Sequence, residues 1–81
     1  MVGNMIYLLF RQDLRRGGII LIAPHATFDG VEEQLHEELD NFRECGWFVT
    51  PQRDGAYLVT EDTEDNPSKF YYFVSSRTIE K

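Results

Sequence analysis

One stretch of the chain, residues 29–45, has apolar side chains at helical spacing, and this feature constrains the fold more than any other. The apolar positions are Val31, Leu35, Leu39, Phe42 and Cys45. They follow one another at steps of four, four, three and three, which places them on one face of an α-helix. The rest of the chain shows no such period, so its structure must come from other elements.

Capping signals mark both ends of this helix. Asp29 followed three residues later by Glu32 resembles a capping box, with a carboxylate at the positive end of the helix dipole. Gly46 stands just after the last periodic residue, where a left-handed backbone is needed. We therefore expect Asp29 to cap the helix and Gly46 to end it. Cys45 then lies on the apolar face as a core thiol and not as a reactive nucleophile.

Short apolar runs with strand character lie on both sides of the helix. They cover residues 5–10, 19–23, 47–50, 56–61 and 70–76. Turn residues separate them, at Gly17-Gly18, Pro24, Asp54-Gly55 and Asn66-Pro67. The order ββαβββ predicts a single small α+β domain over residues 1–81. In this fold an antiparallel sheet of four to five strands carries one helix packed on one face.

A single helix can cover only one face of such a sheet, yet both faces are partly apolar. By strand alternation, we expect one set to face the helix: Ile6, Leu8, Phe10, Leu58, Tyr72 and Val74. The other set then points away: Tyr7, Leu9, Tyr57, Val59, Tyr71 and Phe73. Four of these side chains form a candidate apolar interface for a homodimer or a docked partner: Tyr7, Tyr57, Tyr71 and Phe73. Incidental apolar exposure is the alternative.

The charge balance and the single cysteine narrow the possible partners and compartments. Fourteen acids against eight lysines and arginines give a net charge of −6, which disfavours direct binding to nucleic acid. One cysteine cannot form an internal disulfide, and we find neither a signal-peptide pattern nor an apolar run of membrane-spanning length. We expect a cytoplasmic protein that binds another protein and contacts neither nucleic acid nor a membrane directly.

Motifs that carry chemistry are incomplete throughout the sequence. Residues 36–40 read His-Glu-Glu-Leu-Asp, which resembles the zinc-protease pattern His-Glu-x-x-His, but an aspartate replaces the second histidine. Asp62, Glu64 and Asn66 alternate like calcium ligands, yet Pro67 stands where such a loop requires glycine. No glycine-rich motif followed by lysine indicates a nucleotide site. We therefore expect no catalytic residue, no metal and no cofactor, and predict that the chain is not an enzyme.

Acidic residues are concentrated in the middle of the chain. Residues 29–65 hold twelve acids against two arginines, a balance of −10, while the remainder carries +4. Four helical acids follow at steps of four, three and four and form what we call the acidic row: Glu33, Glu37, Asp40 and Glu44. Four more make a second acidic edge: Glu61, Asp62, Glu64 and Asp65. Like charges at helical spacing repel, so the row does not stabilise the helix.

A small acidic domain without catalytic motifs is suited to binding a basic groove on another protein. If that groove normally holds nucleic acid, carboxylates take the place of phosphates. In size and charge the chain resembles the small phage-encoded inhibitors of bacterial defence, such as anti-CRISPR and anti-restriction proteins, a class without a shared motif. Three alternatives remain. The acids serve solubility alone, the chain is a structural or adaptor subunit that docks through its apolar sheet face, or Arg11, Arg15 and Arg16 form a basic finger.

Overall fold

The computed structural model describes residues 4–79, in which a short 3-10 turn (Arg53–Gly55) accompanies five strands and one α-helix. In chain order these are β1 (Asn4–Asp13), β2 (Ile19–His25), α1 (Phe28–Glu44), β3 (Phe48–Pro51), β4 (Tyr57–Thr60) and β5 (Lys69–Ile79). The strands make one antiparallel sheet in the order β2-β1-β5-β4-β3. The predicted α+β class, the element order and a sheet of five strands are confirmed.

The central pair of strands is longer than the sequence predicts. β1 and β5 stay in register from the pair Asn4–Ile79 to the pair Asp13–Phe70, whereas we expected these strands to end at residues 10 and 76. Polar residues extend both strands because the backbone N–H and C=O groups of β1 and β5 hydrogen-bond to each other along the added length. β2 and β3 are left as the two edges of the sheet. No helix in residues 4–79 has both the length and the apolar character to cross a membrane.

The core lies between α1 and one face of the sheet. Its fully buried side chains are Leu9, Val31, Leu35, Leu39, Val59 and Tyr72. Three of the six come from the helix face that the sequence predicts. Removing such apolar surface from water contributes about 25 cal/mol per Å², which is the main force that holds the helix on the sheet.

The division of the strands between the two faces differs from the prediction. Leu9 pairs with Val74, and Tyr57 pairs with Tyr72, so these residues share the face that α1 covers. Four side chains expected on the helix side lie on the other face: Ile6, Leu8, Phe10 and Leu58. Four expected on the far side face the helix: Tyr7, Leu9, Tyr57 and Val59. Tyr7 and Tyr57 therefore leave the candidate apolar interface, while Tyr71 and Phe73 remain in it.

The N-terminal cap of α1 is Thr27, two residues earlier than expected. Its hydroxyl Oγ1 accepts a hydrogen bond from the Gly30 N–H at 3.0 Å, and Asp29 lies within the first turn. The earlier start places the Phe28 ring against Tyr7, edge to face, with ring centroids 5.8 Å apart. The predicted Asp29 cap is wrong because this tertiary contact and the Thr27 hydroxyl set the start of the helix.

Replacing Thr27 with alanine is expected to lower the free energy of unfolding by about 1 kcal/mol, because the Gly30 N–H loses its acceptor. Thr27→Ser keeps the hydroxyl and serves as the control, with an expected change below about 0.5 kcal/mol. Urea unfolding followed by circular dichroism measures both variants. Equal destabilisation by alanine and serine would show that the methyl group, and not the cap, is what matters at Thr27.

The C-terminal end of α1 is a Schellman motif. The Trp47 N–H donates to the Phe42 carbonyl and the Gly46 N–H to the Arg43 carbonyl, each at 3.0 Å, while Gly46 has a φ of 84°. The predicted stop at Gly46 is confirmed. Cys45 is exposed at the cap, so the predicted core thiol is wrong. The Trp47 ring, 4.8 Å from that of Phe42, closes this end of the core instead.

Candidate functional site

The acidic row lies on the outer side of α1. All four side chains are exposed, while Val31, Leu35 and Leu39 on the opposite side are fully buried. Packing against the sheet therefore fixes which side of the helix meets solvent. The row spans eleven residue steps, or about 16 Å along the helix axis at about 1.5 Å per residue.

One cation lies directly beside the row. Arg43 Nη1 is 2.8 Å from Asp40 Oδ1, and both side chains are largely exposed. Surface pairs of this kind contribute about 0 to 1 kcal/mol because solvent screens them. Within residues 4–79 the other such contact is between His36 Nε2 and Glu32 Oε2 at 3.5 Å, off the row. The negative charge of the row thus rests on its three glutamates more than on Asp40.

Another helical acid faces the sheet and belongs to the core boundary. The Tyr72 hydroxyl donates to Glu38 Oε1 at 3.5 Å. Burial raises the pKa of the Tyr72 phenol, and the nearby Glu38 carboxylate acts in the same direction. This contact helps to fix the rotation of α1 on the sheet, which in turn presents the row to solvent.

The second acidic edge lies in the loop between β4 and β5. Glu61 is half-buried, and its Oε1 accepts a hydrogen bond from the Ser68 N–H at 3.2 Å. The Glu61 N–H also donates to the Ser68 carbonyl at 2.9 Å. The Glu61 carboxylate therefore closes the loop, and the exposed acids here are Asp62, Glu64 and Asp65.

The arginine-bearing turn between β1 and β2 lies against this acidic loop. With the Asn66 amide oxygen turned toward Arg15, that oxygen accepts from Nε at 3.1 Å and from Nη2 at 2.9 Å. The Leu14 N–H donates to the Lys69 carbonyl at 2.9 Å. Arg11 lies apart from the turn, over the Phe70 ring at 4.9 Å from its centroid. The three arginines of the predicted basic finger are thus divided, and the acidic loop has positive charge beside it.

Asp13 organises the same turn. Its Oδ1 accepts hydrogen bonds from the N–H groups of Arg15 and Arg16, each at 3.0 Å. These bonds, first of all the one from Arg16, hold the pKa of Asp13 below its usual value of 3.8. The charged carboxylate is therefore the form that fits the folded turn.

The lowered pKa of Asp13 predicts a pH dependence of stability. Its contribution is present above the unfolded-state value of 3.8 and is lost as the pH falls through the lower folded-state value. Asp13→Asn keeps an acceptor oxygen without the charge, so the difference in melting temperature from the natural chain should shrink between about pH 5 and about pH 2. Thermal melts across this range measure it. A constant difference would mean that the charge of Asp13 does not stabilise the turn.

The sheet face away from α1 carries apolar side chains from all five strands, and we call it the open face. Its apolar members are Ile6, Leu8, Phe10, Ile19, Leu21, Phe48, Leu58, Tyr71, Phe73 and Ile79. The Phe10 and Phe73 rings stack at 5.3 Å, and Tyr71 lies 5.7 Å from Phe73. Near the two edges, Ile19, Leu21 and Phe48 are 55%, 50% and 58% exposed. Within residues 4–79 no element packs on this face.

Metal-ligating side chains do not cluster in the described part of the chain. Residues 4–79 contain no group of three or more His, Cys, Asp and Glu side chains placed to hold a metal ion. The imidazole of His25 bonds through Nε2 to Gln34 Oε1. A shallow groove beside it is lined by Met5, Pro24 and Phe28, and its described lining includes no carboxylate or thiol.

Comparison with protein-family models, curated proteins and solved structures finds no match to this chain.

Proposed function

We propose that the chain is a non-enzymatic binding protein whose acidic row docks on a basic surface of another protein and blocks it. A surface that normally holds nucleic acid is the target that best fits the row. The observation that supports this proposal is the placement of Glu33, Glu37, Asp40 and Glu44 together on the solvent side of a helix whose other side is fully buried.

The spacing of the row suits a surface built to bind phosphates. Successive acids advance by about 4.5 to 6 Å along the helix axis, which is wider than the axial phosphate repeat of about 3.4 Å per strand of duplex DNA but keeps all four carboxylates in one line that an extended basic cleft can meet together. A cleft lined with arginine and lysine would therefore meet several carboxylates at once. Long-range attraction between opposite charges also raises the association rate.

Rigidity is the second reason to expect binding through α1. The helix is held by three buried apolar side chains and ends in the hydrogen-bonded turn at Gly46. The backbone positions that carry the row are thus fixed before a target arrives, which reduces the ordering entropy lost on binding. The loop acids Asp62, Glu64 and Asp65 serve as a secondary contact, weakened by the nearby Arg15.

Reversing the charge of the three glutamates in the row tests this proposal. We expect the variant Glu33→Lys, Glu37→Lys, Glu44→Lys to lose about tenfold or more of its affinity for the target, because attraction becomes repulsion. The target is first isolated by pull-down from a bacterial lysate at low and at high salt, and its affinity is then measured by calorimetry. Binding by the natural chain should weaken as salt rises.

The loop provides a control with the same change in charge. The variant Asp62→Lys, Glu64→Lys, Asp65→Lys alters the net charge equally but leaves α1 intact, so we expect a smaller loss of affinity. Equal losses in the two variants would attribute binding to net charge and not to the row. Unchanged affinity in the helix variant, with its fold verified by circular dichroism, would reject the proposal.

A structural or adaptor subunit is the second candidate function, and the open face favours it. Ile19, Leu21 and Phe48 are each at least half exposed at the margins of this face. Contiguous apolar surface of this kind on a small protein often marks a contact with another macromolecule.

A further inference from the structure

We infer that a second copy of this chain covers the open face, so that two sheets pack face to face with both acidic rows pointing outward. The inference deepens the second candidate function and is independent of the first, since a dimer forms or fails to form whether or not the row binds a basic protein. Three features of the open face support a second copy as its occupant: its charge pattern, its area and its shape.

Among residues 4–79, the strand positions of the open face include no carboxylate. Asp13 is the one acid within the five strands, and it pairs with Phe70 on the helix side. The charged side chains that the described strands place on the open face are Lys69 and Arg77, exposed at opposite ends of β5. Two copies with a net charge of −6 each repel at a distance, but a face-to-face arrangement keeps their helical acids on the outside.

The area of the open face reaches the size that a specific dimer needs. The five strands contain 36 residues. At about 3.3 Å per residue and about 4.8 Å between strands, they cover about 570 Å² of plane in each copy. Two copies then bury about 1,100 Å² in total, without the extra surface of protruding side chains. This area exceeds the lower bound of about 1,000 Å² for a specific interface.

The shape of the open face favours another sheet as its occupant. Sheets twist with a fixed hand, so two of them stack with strands about 30° apart and side chains interdigitated across about 10 Å. The open face of an identical chain has this twist and this apolar chemistry. The two-fold arrangement then places each copy's Phe10 and Phe73 near the centre of the contact, since these stacked rings lie on the two central strands.

Pairing through the β2 edge is the competing arrangement. No strand within residues 4–79 pairs with the outer side of β2, which carries three successive exposed apolar residues, Ile19, Ile20 and Leu21. Strand addition there would extend the sheet but would leave the open face uncovered. We favour the face because it offers the larger apolar contact.

Two adjacent residues of β2 separate these arrangements. Leu21 is 50% exposed and lies on the open face, whereas Ile20 is 49% exposed and lies on the helix side. Phe48 lies on β3, at the opposite margin of the open face from Leu21, so its substitution tests whether that margin belongs to the contact. Leu21→Lys, Phe48→Lys and Ile20→Lys each add one positive charge at a half-exposed position, so all three variants should fold.

Sedimentation equilibrium of the full chain at concentrations from about 1 μM to about 1 mM measures the dissociation constant of the dimer. We expect the natural chain to dimerise more tightly at high salt, as repulsion between copies is screened. Leu21→Lys and Phe48→Lys should each raise the dissociation constant about tenfold or more, and Ile20→Lys less than about threefold.

Two results would overturn the inference. One is the mass of a single chain at every concentration. The other is a dimer weakened equally by Leu21→Lys and Ile20→Lys but not by Phe48→Lys, which would place the contact at the β2 edge. Circular-dichroism melts verify that each variant is folded. Because salt strengthens this dimer and weakens binding through the acidic row, failure of one proposal is distinguishable from failure of the other.

Discussion

Replacing Tyr72 with alanine is expected to lower the free energy of unfolding by about 3 to 5 kcal/mol. Tyr72 is fully buried on β5, and its ring contacts that of Phe42 on α1, with centroids 6.1 Å apart. Truncating a buried aromatic side chain to alanine costs about 3 to 5 kcal/mol. A domain of 81 residues has a total stability of about 4 to 12 kcal/mol, so the loss removes a large share of it.

The hydroxyl of Tyr72 contributes much less than its ring. Its hydrogen bond to Glu38 is long, at 3.5 Å, so Tyr72→Phe should cost less than about 1 kcal/mol. Urea unfolding followed by circular dichroism compares both variants with the natural chain. A Tyr72→Ala variant within about 1 kcal/mol of the natural stability would show that the ring does not fill the core.

The helix and the element order follow from local patterns, which explains why the sequence predicts them well. The apolar period places Val31, Leu35 and Leu39 in the core, where the structure has them. The Asp54-Gly55 turn is also local, and both residues have positive φ, 58° and 74°. Such signals depend on a few neighbouring residues and need no knowledge of the tertiary fold.

The assignment of strand faces could not be predicted because the signal for it is missing from β1. Residues 6–10 are apolar without interruption, so alternation does not say which side faces the helix. The register between β1 and β5 resolves the ambiguity by pairing Leu9 with Val74. That register depends on contacts between residues about 65 positions apart, which no local pattern encodes.

The two acidic parts of the candidate site also differ in how far the sequence predicts them. The acidic row is predictable because it lies opposite the apolar face of an amphipathic helix. The second acidic edge is less predictable, because the fold sets its interactions. Glu61 bonds to the Ser68 backbone, and Arg15 reaches the loop from a turn about 50 residues earlier in the chain. Charge counted along the sequence therefore overstates how far positive and negative side chains are separated in space.

Replacing Trp47 with alanine is expected to lower the free energy of unfolding by about 2 to 3 kcal/mol, less than for a fully buried ring because Trp47 is half-buried. Its ring packs on Phe42 at 4.8 Å and stacks on Phe70 at 6.0 Å. It is also the apolar contact that accompanies the turn at Gly46. The last turn of α1 should fray, which would disturb the position of Glu44 at the end of the acidic row.

Trp47→Phe tests whether an aromatic ring of any size can close this end of the core. We expect it to restore more than half of the stability lost in Trp47→Ala, because a phenyl ring can still contact both Phe42 and Phe70. Circular dichroism follows unfolding, since both variants lose the tryptophan fluorescence. Hydrogen exchange at residues 41–45 reports on fraying directly. If alanine left that exchange unchanged, the end of α1 would be held by its backbone hydrogen bonds alone, and the position of the acidic row would not depend on Trp47.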